Sequence, residues 1–167
     1  MTDLTPLQGE AQALIELCIA PGLKIATAES CTGGLIAGVL TEISGSSAVV
    51  DRGFVTYSNT AKTEMLGVPK ALIDSVGAVS QEVALAMAAG ALAHSNADLA
   101  VAVTGIAGPT GGTAEKPVGL VHFGVVRRGS PVRHAVHVFA GQDRSGVRFA
   151  TVVEALKLLK EVATQEG

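Results

Sequence analysis

Leu23-Lys24-Ile25-Ala26-Thr27-Ala28-Glu29-Ser30-Cys31-Thr32-Gly33-Gly34-Leu35-Ile36-Ala37-Gly38-Val39-Leu40 is the stretch from which the architecture can be read. Residues 23–27 form a short apolar strand, residues 29–34 a polar turn closed by two glycines, and residues 35–43 an apolar helix. Strand, glycine turn and helix within about twenty residues are the local grammar of an α/β domain.

Upstream, Leu7, Ala11, Leu14, Ile15 and Cys18 recur at helical spacing, and Pro21-Gly22 closes that helix. Downstream, residues 49–57 read as a second strand ending in Tyr57, followed by helical patches over 59–66 and 69–76. Ser80 is a favourable N-cap for a long Ala-rich helix over 81–95, with Glu82 in its first turn. Residues 98–103 (DLAVAV) are almost wholly apolar, as a central strand buried on both faces must be. A glycine-rich loop then spans 104–117. Residues 118–126 and 132–139 form a hairpin through Arg128-Gly129-Ser130. Asp143 begins a last amphipathic helix with Phe149, Val152, Val153, Leu156 and Leu159 along one side. No repeat, linker or low-complexity tract interrupts the series. The expectation is one α/β domain over residues 1–167, a three-layer α/β/α sandwich with a mixed β-sheet.

Hydrophobic residues make up 48% of the chain, charged residues 16% and aromatics 3%. The charged share is well below the roughly 25% of an ordinary globular protein. Close packing of small side chains explains part of this surplus. The rest points to apolar surface covered by another subunit, so a homo-oligomer is expected. The net charge of −3 argues against nucleic acid, which demands a basic face. The longest basic run, Arg127-Arg128, reads as a solvated loop. There is no run of about 18 apolar residues to span a membrane and no signal peptide. Two cysteines, Cys18 and Cys31, suit a reducing cytosol, so a cytoplasmic location is expected.

Polar or glycine-rich clusters fall at the ends of these strands, where α/β sheets bind ligands. Ser30 sits on a tight turn at the start of a helix whose N–H groups suit an oxyanion or a phosphate; the alternative reading of Ser30 or Thr32 is a simple helix cap. A serine hydroxyl needs a base, and no histidine is suitably placed. Lys62 serves if burial lowers its pKa, with Tyr57 relaying the proton or orienting it; otherwise Lys62 is an ordinary solvated lysine. Thr104-Gly105-Ile106-Ala107-Gly108-Pro109-Thr110-Gly111-Gly112 lets backbone approach a ligand closely, or is only a flexible turn. It lacks the Gly-Lys-Ser/Thr of a phosphate loop, and no Gly-x-Gly-x-x-Gly follows the first strand. Arg144, in a helix's first turn, is unfavourable unless it meets an anion, either an acid of the protein or a substrate phosphate. His134 and His137 point to opposite faces of one strand, and His94 and His122 are isolated, so no metal ligand set and no cofactor are implied.

Ala28-Glu29-Ser30-Cys31-Thr32-Gly33-Gly34, Val55-Thr56-Tyr57-Ser58-Asn59, Gly77-Ala78-Val79-Ser80, Thr104-Gly105-Ile106-Ala107-Gly108-Pro109 and Lys116-Pro117-Val118-Gly119 together resemble the CinA C-terminal domain family. The blocks appear in order over residues 7 to 160. The resemblance implies the three-layer fold and a nicotinamide-nucleotide amidohydrolase (NMN deamidase), which turns nicotinamide mononucleotide and water into nicotinate mononucleotide and ammonia. By matched motif it implies Ser30 as nucleophile and Lys62 as base, with Tyr57, Thr104 and Arg144 lining the site. Thr32, Gly33, Gly34 and Gly105 are then assigned to the substrate, and Arg144 with the glycine loop to its phosphate. Many relatives carry a further N-terminal domain resembling molybdopterin-binding proteins, whose activity is not expected here. A serine amidase for another small amide and a non-catalytic nucleotide-binding module remain the alternatives.

Overall fold

The computed structural model describes residues 1–165. A single five-stranded sheet has the order β2-β1-β3-β4-β5. Its strands are β1 (Ile25–Glu29), β2 (Val50–Val55), β3 (Leu99–Gly105), β4 (Leu120–Arg127) and β5 (Arg133–Val138). β1 runs parallel to both β2 and β3, while β4 and β5 are antiparallel additions. The sheet is therefore mixed, as the sequence predicts. Among the described residues six α-helices accompany it: α1 (Gln8–Ile19), α2 (Leu35–Thr41), α3 (Asn59–Leu66), α4 (Lys70–Val76), α5 (Gln81–Ala93) and α6 (Arg144–Ala163).

Alternation along the strands sorts the helices into layers. Leu99, Val101, Val103, Val121, Phe123 and Val125 face a core shared with α1, α2 and α6. Ala26, Ala28, Ala100, Ala102 and Val126 face the core shared with α3, α4 and α5. Small side chains on this second face let α5 lie close. A Cβ on Gly124 would collide with the Ala84 carbonyl, and one on Gly90 with the Leu66 carbonyl at the end of α3. The Ala-rich composition is thus used in packing α5 against the sheet and α3 against α5.

Several boundaries differ from the sequence reading. β1 runs to Glu29, because parallel pairing continues on both sides to Val55 and Val103. β3 extends through Thr104 and Gly105, held by pairing with His122 and Val121, so the glycine loop begins at Ile106. β2 stops at Val55, short of Tyr57, and Ser58 caps α3 by accepting from Ala61 N–H. Ser80 caps α5 as expected. In α6 the buried side is Val147, Thr151, Val152, Ala155, Leu156 and Leu159, and Val153 is exposed instead. Arg127 and Arg128 are not merely solvated: their guanidiniums bind backbone carbonyls at the ends of α6 and α5. Among the described residues, no helix is long and apolar enough to cross a membrane.

From β1 the chain moves to β2 on one side and later to β3 on the other. Connections thus leave in opposite directions from the carboxyl ends of β1 and β3. Such a switch point opens a crevice.

Candidate active site

At that crevice, Ser30 follows β1 directly. Its N–H donates to the Val103 carbonyl of β3, and its own carbonyl accepts from Gly33 N–H at 3.1 Å. The turn is possible because Gly33 and Gly34 adopt φ of +59° and +102°, a left-handed region disfavoured for other residues. Beneath it lies Glu29, fully buried. Its carboxylate accepts from Thr32 Oγ1 at 2.7 Å, Ile36 N–H at 2.8 Å and Ala37 N–H at 3.0 Å. Glu29 therefore caps α2 through its first free N–H groups. The N–H groups of Ile36 and Ala37 are thereby spent on Glu29 and that of Gly33 on the turn, so these three donors are not offered to substrate. The Thr32 hydroxyl is likewise committed to Glu29.

Lys62 is 1% exposed. Its Nζ lies 3.0 Å from Ser30 Oγ and donates to the Thr56 carbonyl at 2.8 Å. No acid pairs with it among the described residues. Burial pushes its pKa below that of a free lysine. A buried amine next to a hydroxyl, with an inward carbonyl to orient it, is an arrangement suited to taking a proton. The adjacent Cys31 is also in the turn, but desolvation pushes its thiol up to about 12, so it is held as the unreactive thiol.

Tyr57 is 61% exposed, and its hydroxyl accepts from Arg144 Nη2 at 3.0 Å. Tyr57 thus contacts Arg144, and Lys62 takes its orientation from Thr56. Arg144 Nη1 also donates to the Gly108 carbonyl at 2.8 Å. Asp143 beside it caps α6 by accepting from Gly146 N–H and makes no ion pair with Arg144. Arg144 is thus an exposed cation in the first turn of α6, where the helix is itself positive, and no described acid neutralises it.

Ser30, Cys31, Tyr57, Gly105, Gly108, Thr110 and Arg144 are among the residues that line a cleft of about 270 Å³. A Cβ on Gly105 would come within 2.8 Å of the Leu120 carbonyl, so close strand packing already requires this glycine. Thr104 stays out of the cleft: it is buried, and its hydroxyl donates to the Ala78 carbonyl, tying β3 to the loop before α5. A larger groove of about 540 Å³ lies between the N-terminal residues and α6. Asp3, Phe139, Gln142, Ser145, Phe149, Val153 and Glu154 are among its walls. Among the described residues, no cluster of three His, Cys, Asp or Glu is placed to hold a metal ion.

The structure adds residues that the sequence reading passed over. Glu29 and Thr56 brace Ser30 and Lys62, and Arg148 Nη2 donates to the Thr32 carbonyl at 3.1 Å. Arg148 stands four residues after Arg144, a spacing that puts both on one side of α6 and is the only signal for it in the sequence. His122 is not isolated either: its Nδ1 is 2.9 Å from His134 Nε2, across β4 and β5.

A family model described as the CinA C-terminal domain matches residues 8–163. Nicotinamide-nucleotide amidohydrolase PncC of Enterobacter agglomerans is 53% identical over 138 residues, 83% of this chain and 84% of that protein. A protein of Symbiobacterium thermophilum described as a putative competence-damage inducible protein is 49% identical, but the match spans only 37% of its length. Among solved structures, the competence/damage inducible protein CihA of Agrobacterium tumefaciens superimposes with a TM-score of 0.92 at 54% identity, covering 93% of this chain and 94% of that one.

Proposed function

Because the chain belongs to the CinA C-terminal domain family, we propose that it is an amidohydrolase acting on nicotinamide mononucleotide, with Ser30 as nucleophile and Lys62 as its base. The relative from Enterobacter agglomerans, named for this activity and matched over most of both chains, supports the substrate. The observation that carries the reading is the Lys62 Nζ, buried and free of acids, 3.0 Å from Ser30 Oγ.

In the neutral amine one N–H donates to the Thr56 carbonyl, which turns the lone pair toward Ser30. Lys62 takes the hydroxyl proton as Ser30 Oγ bonds to the carboxamide carbon, and the carbonyl oxygen becomes an oxyanion. The lysine ammonium then gives its proton to the amide nitrogen as the C–N bond breaks, releasing ammonia and leaving an ester on Ser30. Water attacks that ester while Lys62 accepts its proton; the same proton returns to Ser30 Oγ as the acid departs. The pyridinium positive charge makes the amide carbon electrophilic. It also disfavours the protonated lysine nearby, which adds to burial in keeping Lys62 neutral. The substrate phosphate meets Arg144, whose present partners are only a carbonyl and a phenol.

The test is ammonia release from nicotinamide mononucleotide, nicotinamide riboside and free nicotinamide. The mononucleotide should be turned over far faster than either fragment. Equal rates on all three would remove Arg144 from phosphate recognition. Binding of the mononucleotide without any ammonia would make the protein a ligand-binding module.

A further inference from the structure

We propose that Arg148 is a positioning residue for the nucleophile, fixing the Ser30 turn against the helix that carries Arg144; this rests on the Ser30–Lys62 reading above. Arg148 lies in the second turn of α6, half-buried. Its Nη2 donates to the Thr32 carbonyl, its Nε is buried without a partner, and no described acid pairs with it. A half-buried cation near the positive end of a helix, with no acid to neutralise it, costs stability. A purely structural role for this position would be filled better by an apolar side chain.

What the guanidinium holds explains its presence. The Ser30 turn is pinned at one side by the Ser30 N–H bond to β3 and by Gly33 N–H on the Ser30 carbonyl. On the other side the Thr32 hydroxyl is gripped by Glu29, and the Thr32 carbonyl by Leu35 N–H and Arg148. Glu29 and Leu35 belong to the same local segment as the turn. Arg148 is the one of these partners that ties it to α6, 116 residues away in sequence. One turn earlier, α6 carries Arg144 toward the cleft. Arg148 therefore sets the separation between the anion-binding group and the attacking oxygen. It does so without lining the cleft, so its loss should alter attack geometry and spare substrate affinity.

Arg148→Met and Arg148→Lys test this with two readouts. The first is kcat and KM for ammonia release from nicotinamide mononucleotide. The second is the rate at which a fluorophosphonate labels Ser30, which does not depend on the substrate. Arg148→Met is expected to lower kcat on the order of 10²-fold, the cost of a misplacement near 1 Å. KM should stay within about twofold, the pH at which activity rises should not move, and labelling should slow in step with kcat. The melting temperature should hold or rise, since an unpaired half-buried charge is removed. Arg148→Lys, which can still reach a carbonyl but with one donor, should recover part of the rate. Unchanged kcat and labelling in Arg148→Met would overturn the proposal. So would a raised KM at unchanged kcat, which would make Arg148 a substrate ligand. A rate loss matched by a fall in melting temperature would reduce it to a folding residue. If the wild-type protein releases no ammonia but labels at Ser30, and Arg148→Met slows labelling, the substrate reading fails while the positioning role stands. No labelling of wild-type Ser30 would remove both.

Discussion

The two ends of α6 each meet an arginine, and the same side chain has opposite electrostatic standing at the two. At the C-terminal end, Arg127 Nη1 donates to the carbonyls of Val162, Ala163 and Gln165. Those carbonyls carry the partial negative charge of the helix, so the cation is neutralised where it stands. At the N-terminal end, Arg144 lies in the first turn, where the helix is itself positive, and its partners are one carbonyl and one phenol. Neither arginine pairs with a described acid, so counting ion pairs would not tell them apart. Position on the helix does: the cation at the negative end is a cap, and the one at the positive end is electrostatically unfavourable there, which is why the proposed function gives it the substrate phosphate.

The largest effect expected lies in the cleft that Arg144 at the positive end of α6 shares with Ser30. Ser30→Ala should lower ammonia release by at least roughly 10³-fold, with the fold and mononucleotide binding kept. Cys31→Ala should retain substantial activity, because its thiol is pushed up to about 12 by burial. A folded but inactive Cys31→Ala would move the nucleophile one residue along.

Arg144→Met and Arg127→Met then form a matched pair. Loss of Arg144 should raise KM for the mononucleotide by about 10- to 100-fold, the worth of a charge-assisted bond. The melting temperature should not fall, since an unfavourable dipole contact is lost with it. Loss of Arg127 should do the reverse: about 1 kcal/mol of stability, read from urea unfolding, with kcat and KM unchanged. A destabilised Arg144→Met with normal KM would erase the distinction between the two ends.

The smallest effect concerns the outer strands, away from either end of α6. Burial holds the pKa of both His122 and His134 below the ordinary value, and for His122 the facing His134 and Lys116 add to this, while Glu82 opposes it. The unfolded chain therefore takes up these protons first. Their contribution to stability is intact above about pH 6.5 and is lost as pH falls toward the folded-state values. His134→Gln should show a smaller drop in unfolding free energy than wild type between about pH 7.5 and 5. An identical drop would contradict the lowered pKa of His134.

Much of this fold is legible locally. The DLAVAV run is a central strand, Ser80 caps α5, and the order strand, turn, helix around Ser30 is as the residue pattern gives it, with the strand shifted to end at Glu29. Local pattern fails where a contact depends on distant register. His122 and His134 meet only because β4 and β5 pair with His122 opposite Val136. Glu29 looks like a loop polar group until β1 is paired on both sides, and it then becomes the buried cap of α2. Arg127 and Arg128 read as a solvated pair because nothing nearby in sequence shows that two helices end beside them. At the site, residue types and motif raise Ser30 and Lys62 together, but burial of Lys62 and its orientation by Thr56 require the docking of α3. Tyr57 shows the opposite limit: its hydroxyl contacts Arg144, a residue 87 positions away, and not Lys62.

The account rests above all on Lys62 acting as a neutral base, and turnover by Lys62→Arg tests it most directly. Arginine keeps the positive charge but does not give up its proton in a protein. The account predicts that Lys62→Arg loses kcat almost as completely as Lys62→Ala while still binding the mononucleotide. In the wild type, activity should rise with pH through a value below the roughly 10.4 of free lysine, because burial lowers the Lys62 pKa. A Lys62→Arg enzyme with near-normal kcat would contradict the account and remove lysine from the role of base.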